Sequence, residues 1–307
     1  MFRGPGLPAA SIPLPDVVSH NCAAQLALPF DCSPMITMLK SRPMMVPPVR
    51  TAARPFRDLY YVRLVTTGLS FLLFGLGGTL LGLVVVPLLL VVPGSQATRR
   101  KRVRRMIQLA FRFFAGFMHH SGAISFSFAG ADRLGKPGQL IVANHPSLID
   151  IVLLIAFTRD ACCVVKREAW RNPAMSMSVS AAGYVPNAPT DLMVERAAAV
   201  LSAGDCLIMF PEGTRTVPHR AMHFHRGAAS VALRAARIVT PVFISVEPPS
   251  LTKFMPWYQL PVPRAHFALR VGRDIDPAAF RSGPLPIASR ALNKQLVATY
   301  AAEGSGN

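Results

Sequence analysis

Two side chains suited to proton transfer, His145 and Asp150, stand five positions apart just after an apolar run. The run is Gln139–Ala143, and Pro146 directly follows the histidine. A residue before proline disfavours the α region, so we expect His145 to be extended at the end of a β-strand. An aspartate that accepts the proton of one ring nitrogen fixes the histidine tautomer and leaves the other nitrogen free as a base. The spacing therefore predicts a general-base dyad.

The same stretch also has a purely structural interpretation. Ser147-Leu148-Ile149-Asp150 matches the capping-box pattern, in which a serine begins a helix and an acidic residue three positions later bonds back to it. We expect Ser147 to cap a helix that runs over about residues 148–157. Asp150 would then serve only the helix. The residue types alone leave both roles open.

A second polar group follows another apolar run and reads Phe210-Pro211-Glu212-Gly213-Thr214-Arg215. Gly213 permits backbone geometry and a close ligand approach that other residues do not. The planar guanidinium of Arg215 matches the oxygens of a phosphate. Glu212 can accept hydrogen bonds from a polyol or pair with Arg215. An ordinary turn is the alternative interpretation of this stretch.

Strand-like and helix-like segments alternate from about residue 124 onward. This alternation implies crossover connections and an α/β fold, with a mostly parallel sheet flanked by helices. In such a sheet ligands bind at the carboxyl ends of the strands, where both polar groups are expected. Lys166 also follows a strand-like run, at residues 162–165. It either holds an anionic group there or belongs to a solvated charge pair with Arg167.

The chain is strongly basic. Its 307 residues include 33 Lys and Arg against 15 Asp and Glu, a formal net charge of +18. Such an excess implies an anionic partner: a membrane surface, a nucleic acid or a phosphorylated substrate. The densest basic cluster, residues 99–105, touches an apolar segment and has no recognisable nucleic-acid-binding fold around it. We therefore expect it to bind anionic lipid headgroups and expect no nucleic acid as a partner.

An uncharged segment at residues 64–92 belongs in a membrane. As a continuous helix it would be about 43 Å long, more than the roughly 30 Å hydrocarbon core requires. Glycines in its middle and Pro87 leave open whether it is one tilted span or a re-entrant helical hairpin. The stronger basic cluster follows it, which places the rest of the chain in the cytoplasm. Residues 106–120 then predict an amphipathic helix that lies on the bilayer or packs into the core.

Composition divides the chain into three parts. Residues 1–50 are rich in proline and without periodicity, and we expect a disordered leader. Methionines at 35–45 leave open a later start residue. Residues 51–120 form the predicted membrane anchor with its basic and amphipathic helix, and residues 121–307 form the predicted catalytic domain.

Five cysteines occur without C-x-x-C or zinc-type spacing, at Cys22, Cys32, Cys162, Cys163 and Cys206. Neither a disulfide framework nor a metal site is expected, and a reducing compartment fits this pattern. The last three lie in apolar strand-like runs. We expect them to be small buried hydrophobic residues and not nucleophiles.

Four ordered blocks together resemble the glycerolipid and lysophospholipid acyltransferase family, to which bacterial 1-acylglycerol-3-phosphate acyltransferase belongs. They are N-H-P-S-L-I-D at 144–150, F-P-E-G-T-R at 210–215, F-H-R-G-A-A at 224–229 and V-T-P-V at 239–242. The resemblance spans roughly residues 120–275. It implies an acyltransferase-type fold, with His145 as the general base on an acceptor hydroxyl and Asp150 as its orienting partner.

The acceptor-binding residues that the resemblance implies are Glu212, Gly213, Thr214, Arg215 and Lys166. The donor would be a fatty acyl thioester, acyl-CoA or acyl-ACP, so coenzyme A or acyl carrier protein is an expected partner. No cofactor and no metal is expected beside these co-substrates. With no activated serine or cysteine evident, we expect direct transfer through a ternary complex.

One departure from the family pattern concerns the acceptor. Members commonly carry an arginine a few residues after the glycine that corresponds to Gly183, where it helps bind the acceptor phosphate. This chain reads Gly183-Tyr184-Val185-Pro186-Asn187-Ala188-Pro189 at that place. The departure weakens lysophosphatidate as the acceptor.

The leading hypothesis is a membrane-bound O-acyltransferase that acts on a lysophospholipid such as 1-acylglycerol 3-phosphate. A second keeps the chemistry but takes an ornithine lipid or aryl polyene lipid as acceptor. A third, of another class, is a non-catalytic protein that binds anionic membrane lipids. The expected location is the bacterial inner membrane, with the catalytic domain on its cytoplasmic face. The sequence does not indicate an oligomeric state.

Overall fold

The computed structural model describes residues 59–188, 190–217 and 222–304. The leader predicted for residues 1–50 and its methionines lie outside the described residues. The same holds for the basic residues Arg54 and Arg57, which precede the apolar segment.

The apolar segment forms one continuous helix, Tyr60–Val91. It consists of α1 (Tyr60–Leu80), a π-helical turn (Leu81–Val85) and α2 (Val86–Val91). Pro87 lacks a backbone N–H and would clash with the preceding turn of a regular α-helix. The wider π turn lies directly before it, so the helix continues through the proline. The segment is therefore one helix and not a hairpin, and by length and composition it could cross a membrane.

One side of this apolar helix is exposed and the other packs against the rest of the protein. Exposed apolar side chains recur at helical spacing, at Val65, Leu69, Leu72, Leu76, Leu80 and Leu83. On the inner side, the ring centre of Phe74 lies 5.3 Å from that of Phe114 and 6.0 Å from that of Phe111. The helix is thus joined to the domain along its length while it presents an apolar stripe outward.

Helix α3 (Gln96–His120) contains both the basic cluster and the predicted amphipathic segment. Ser95 caps it by accepting a hydrogen bond from the backbone N–H of Thr98. The apolar side of α3 is buried, with Val103, Ile107, Phe114 and Met118 in the core. Of the two roles left open for this segment, the structure shows the core helix.

Only some side chains of the basic cluster at residues 99–105 are exposed to solvent. Arg104 is buried, and its Nη1 lies 2.8 Å from Oδ2 of Asp205. Its Nε donates a hydrogen bond to the carbonyl of Ala182. An unpaired buried charge would be costly, so Asp205 serves as the counterion here instead of a lipid headgroup. Lys101 and Arg105 are the exposed members of the cluster.

Seven strands form the sheet: β1 (Ser125–Ala129), β2 (Gln139–Ala143), β3 (Ala161–Lys166), β4 (Val185–Asn187), β5 (Cys206–Met209), β6 (Ile238–Glu247) and β7 (His266–Val271). Their order is β1-β7-β6-β2-β5-β3-β4. All neighbouring pairs are parallel except β6 and β7. The predicted mostly parallel α/β sheet is confirmed. Its central strands β2 and β5 are buried throughout, as their continuous apolar runs require.

The remaining helices are α4 (Asp150–Phe157), α5 (Glu168–Arg171), α6 (Pro173–Ala181), α7 (Thr190–Ser202), α8 (Gly227–Ala235) and α9 (Leu285–Gly304). The sequence also predicts one helix over about residues 168–182, with Pro173 near its start, and this prediction is wrong. The helix is broken at Asn172, whose ψ is 114°, because the residue before Pro173 is pushed out of the α region. The helix expected from residue 148 begins at Asp150 instead.

Candidate active site

The carboxyl ends of four neighbouring strands open into one cavity of about 740 Å³. Its wall includes six of the seven residues that the sequence predicts for the site: His145, Lys166, Glu212, Gly213, Thr214 and Arg215. Asp150, the seventh, lies behind His145 and is fully buried. Because β2 pairs with β5 and β5 with β3, three stretches far apart in sequence reach the same edge of the sheet.

Asn144 turns the chain out of strand β2. Its side chain bonds both backbone groups of Ile244 in β6, donating to the carbonyl (2.7 Å) and accepting from the N–H (2.8 Å). The amide thus takes the place that a backbone partner would occupy in a longer strand. This pairing lets β2 end at Ala143 and leaves neither backbone group of Ile244 without a partner, while His145 follows two positions later.

His145 and Asp150, the two residues predicted as a dyad, are in direct contact. Nδ1 of His145 lies 2.9 Å from Oδ2 of Asp150, which also accepts the backbone N–H of Ser147 at 2.6 Å. The Asp150 side chain is 0% exposed and that of His145 is 18% exposed. Burial raises the pKa of Asp150, and the bonds from His145 and Ser147 oppose that shift. With Nδ1 held by the carboxylate, Nε2 is the ring nitrogen left to act as a base.

The capping interpretation holds in part. The Asp150 carboxylate bonds back to the N–H of Ser147, as in one half of a capping box. The serine hydroxyl does not cap the helix, because it donates to the carbonyl of Ser250 instead. One carboxylate oxygen therefore serves the helix start and the histidine together. The expected cap by Ser147 is wrong, because the Ser147 hydroxyl bonds to a neighbouring loop.

Phe210 supports the histidine from the side. Its ring is stacked on the imidazole, with 4.3 Å between ring centres and 26° between ring planes. The sequence marked this residue only as the end of strand β5. No spacing rule connects positions 145 and 210, and the contact arises from the pairing of β2 with β5.

Glu212 fixes the backbone of the histidine. Its Oε1 accepts the backbone N–H of His145 at 3.0 Å and the hydroxyl of Thr216 at 2.8 Å. The N–H of Thr216 in turn donates to the carbonyl of His145 at 2.7 Å. Gly213 between them has φ +65°, the left-handed region that glycine adopts without strain. The two polar groups predicted from sequence are thus bonded into a single unit.

Arg215 does not pair with Glu212 as one expectation had it. It lines the cavity, but its Nη1 donates to the carbonyls of Leu251 and Thr252 at 3.0 and 2.9 Å. Its Nη2 lies 3.5 Å from the carbonyl of Lys253. The guanidinium therefore holds the backbone of the segment at 250–253, which the sequence did not connect with the site.

The position that departs from the family pattern also faces the cavity. Asn187, the last residue of strand β4, and Ala188 after it line the wall and bring no cation. Lys253 lines it as well, from the segment that Arg215 holds. Among the residues that the structure describes, no group of three or more His, Cys, Asp or Glu side chains is arranged to bind a metal ion.

Cys163 reaches the cavity wall, yet the cysteines of the sheet are not reactive thiols. Cys162, Cys163 and Cys206 are buried. Burial raises the pKa of Cys162 to about 11 and that of Cys206 to about 12, and it raises the pKa of Cys163 well above its usual value. Because the thiolate is the nucleophilic form, these residues stay inert near neutral pH, in line with their expected role.

Comparison with known proteins agrees with this geometry. Residues 125–245 match the family model described as Acyltransferase, and every predicted site residue falls within them. A 1-acyl-sn-glycerol-3-phosphate acyltransferase of Chlamydomonas reinhardtii is 29% identical over 120 residues, 37% of this chain and 36% of the relative. A chloroplastic 1-acyl-sn-glycerol-3-phosphate acyltransferase of Arabidopsis thaliana is 29% identical over 106 residues, 33% of this chain and 30% of the relative.

The sequence matches cover only part of each relative, whereas the structural match covers most of both chains. The chain spans about a third of the length of these curated relatives. The crystal structure of the 1-acyl-sn-glycerophosphate acyltransferase PlsC of Thermotoga maritima shares the fold with a TM-score of 0.59 at 19% identity. That match covers 80% of this chain and 98% of the other. Residues 125–245 of this chain are therefore similar to the domain that the Acyltransferase family model describes.

Proposed function

We propose that this protein is a membrane-bound O-acyltransferase. It moves a fatty acyl group from a thioester, acyl-CoA or acyl-ACP, to the hydroxyl of a lysophospholipid such as 1-acylglycerol 3-phosphate. The observation that carries this proposal is the His145–Asp150 pair, bonded at 2.9 Å at the wall of a large cavity. Two relatives that match about a third of this chain are named 1-acyl-sn-glycerol-3-phosphate acyltransferases.

The chemistry follows from the free ring nitrogen. An alcohol is a poor nucleophile at neutral pH, and a base can take its proton as it attacks. Nε2 of His145 takes the hydroxyl proton while the oxygen bonds to the thioester carbonyl carbon. The carbon–sulfur bond then breaks, and the imidazolium returns the proton to the leaving thiolate. Asp150 holds the ring and stabilises the imidazolium while it exists.

Transfer is direct in this proposal. The cysteines at the sheet are buried thiols, so they offer no nucleophile for an acyl-enzyme. The acceptor hydroxyl and the donor thioester are held together in the cavity in a ternary complex. Mass spectrometry of the protein mixed with acyl donor alone checks this, and a stable acyl adduct would contradict direct transfer.

The apolar helix supports a membrane location. It is 32 residues long and exposes an apolar stripe away from the domain. We place that stripe against lipid, with the cavity beside the membrane surface where a lysolipid headgroup lies. In a bacterium this would be the inner membrane, with the domain on the cytoplasmic side where acyl thioesters are made. The exposed Lys101 and Arg105 would then meet anionic headgroups.

The charge of the cavity favours a phosphate-bearing acceptor. Lys166, Arg215 and Lys253 line the wall, against the single carboxylate of Glu212. The absence of a cation at Asn187 favours the second candidate, the same chemistry on an ornithine lipid or aryl polyene lipid. The cations outweigh that departure, and a lysophospholipid is our first choice.

An acceptor panel tests the proposal. The purified full chain in detergent is given labelled acyl-CoA or acyl-ACP with lysophosphatidate, other lysophospholipids, lyso-ornithine lipid or monoacylglycerol. We expect lysophosphatidate or another lysophospholipid to be acylated at the highest rate. Faster transfer to the lyso-ornithine lipid would establish the second candidate. No transfer to any acceptor would leave the non-catalytic lipid-binding hypothesis.

A further inference from the structure

Lys253 reaches the cavity from a distant part of the sequence. It lies 38 positions after Arg215, in the connection between β6 and β7. Its side chain is half-buried and forms part of the cavity wall. Neither the resemblance nor the spacing of residues predicted a role for it.

The backbone before Lys253 is fixed from two sides. Arg215 donates to the carbonyls of Leu251, Thr252 and Lys253. From the histidine loop, the hydroxyl of Ser147 donates to the carbonyl of Ser250 at 2.9 Å. In addition, the N–H of residue 148 donates to the carbonyl of residue 251 at 3.1 Å.

Leu251 shows how firmly this segment is set. It has φ +53°, an unfavourable conformation for a leucine, and it is 4% exposed. Such a conformation persists only where the surrounding bonds determine it. The segment is therefore held in one conformation, and it places Lys253 in the cavity wall that also includes His145.

Lys253 and Lys166 are the two lysines of the cavity wall. Neither forms an ion pair with a described residue. The Nζ of Lys253 lies 5.4 Å from the ring centre of Phe254. Arg215, by contrast, already donates to three carbonyls. A negatively charged ligand would supply the two lysines with the counterion that no described residue provides.

We propose that Lys253 is an anion-binding residue of the acceptor site, which holds the phosphate of the acceptor together with Lys166. It supplies the cation that the stretch after Gly183 lacks. Arg215 is the positioning residue that sets the Lys253 backbone. This inference rests on the proposed function and names the group that its acceptor must carry.

The test compares Lys253→Ala with Lys294→Ala, a lysine of α9 that is exposed and outside the cavity wall. Initial rates are measured with the full chain while lysophosphatidate and the acyl donor are varied in turn. We expect Lys253→Ala to raise the KM for lysophosphatidate about tenfold or more, as loss of a charge-assisted hydrogen bond does. The KM for the donor and the rate on monoacylglycerol, which has no phosphate, should not change. Lys253→Arg should retain most of the affinity.

Two kinetic outcomes would overturn the inference. Unchanged KM values for both substrates would exclude Lys253 from binding. A raised KM for the donor alone would assign it to the phosphates of coenzyme A or the phosphopantetheine arm, and not to the acceptor.

Binding without turnover separates this inference from the proposed function. Displacement of a fluorescent lysophosphatidate from the purified chain gives an affinity whether or not transfer occurs. We expect weaker binding in Lys253→Ala and unchanged binding in Lys294→Ala, with equal unfolding temperatures as the check on folding. If the native chain binds lysophosphatidate but transfers no acyl group, the proposed function fails and the anion site stands. Equal binding by both variants would reject the site.

Discussion

The imidazole of His145 lies on the ring of Phe210, with 4.3 Å between their centres. The carboxylate of Asp150 holds Nδ1 from another side, at 2.9 Å. Asp150 constrains the imidazole at its edge and Phe210 constrains it on its face, so the orientation of Nε2 is fixed. Phe210 thus constrains the face of the imidazole, although it brings no polar group.

Phe210→Leu should lower kcat about three- to tenfold and leave the KM values nearly unchanged. The expectation follows from the stacking energy of aromatic pairs, about 0.5–1.5 kcal/mol, which here orients the base. Steady-state kinetics on the purified variant provide the measurement. Phe128→Leu is the matched control, since Phe128 is also half-buried and contacts Phe157 away from the cavity. Equal kcat values in the two variants would show that the stacking has no role in transfer.

Asp150→Asn should reduce kcat by about 10²–10⁴-fold, the range that general-base catalysis contributes. An asparagine amide carries no charge to stabilise the imidazolium and can turn its NH2 donor toward Nδ1, so the ring loses its fixed tautomer. Circular dichroism checks that the variant is folded. A kcat close to that of the native chain would argue against the orienting role of Asp150.

The same variant gives a pH test. Burial raises the pKa of Asp150, so the folded chain binds this proton more tightly than the unfolded chain. The free energy of unfolding of the native chain, relative to Asp150→Asn, should therefore fall as pH rises from about 4, the ordinary pKa of aspartate, and level off above the folded pKa. Unfolding midpoints of both proteins across pH 4–8 measure this difference. A difference that grows with pH would contradict the raised pKa.

Asn144→Ala should destabilise the protein by about 2–4 kcal/mol, because both backbone groups of Ile244 lose a buried partner. Thermal or denaturant unfolding in detergent measures the change. Asn293→Ala is the control, since that side chain is half-buried and donates one bond, to the carbonyl of Phe224. A smaller loss for Asn144→Ala than for Asn293→Ala would mean that the strand end is held by other contacts.

Local sequence patterns were sufficient to predict a mostly parallel sheet and to place the polar groups at its strand ends. Apolar runs predicted β2 and β5, and the alternation of strands and helices predicted a mostly parallel sheet with both polar groups at the carboxyl ends of its strands. The break at Asn172 was also readable, because a proline follows it, but the long helix pattern outweighed that signal.

Contacts between residues far apart in sequence carried no comparable signal. The bonds from Arg215 to residues 251–253 depend on the path of an irregular connection, which no periodicity describes. The ion pair of Arg104 with Asp205 is another case, since a run of arginines looks the same whether one member is buried or all are solvated. The choice between one helix and a hairpin depended on a π turn before Pro87, and the glycines were compatible with both.

The central claim is that His145 is the base of an acyl transfer, and His145→Ala tests it most directly. The full chain and the variant are purified in detergent and given labelled acyl-CoA with lysophosphatidate, beside His120→Ala, whose histidine is exposed at the end of α3. We predict that His145→Ala loses at least about 10²-fold in transfer rate while His120→Ala keeps the native rate. Undiminished transfer by folded His145→Ala would contradict the account.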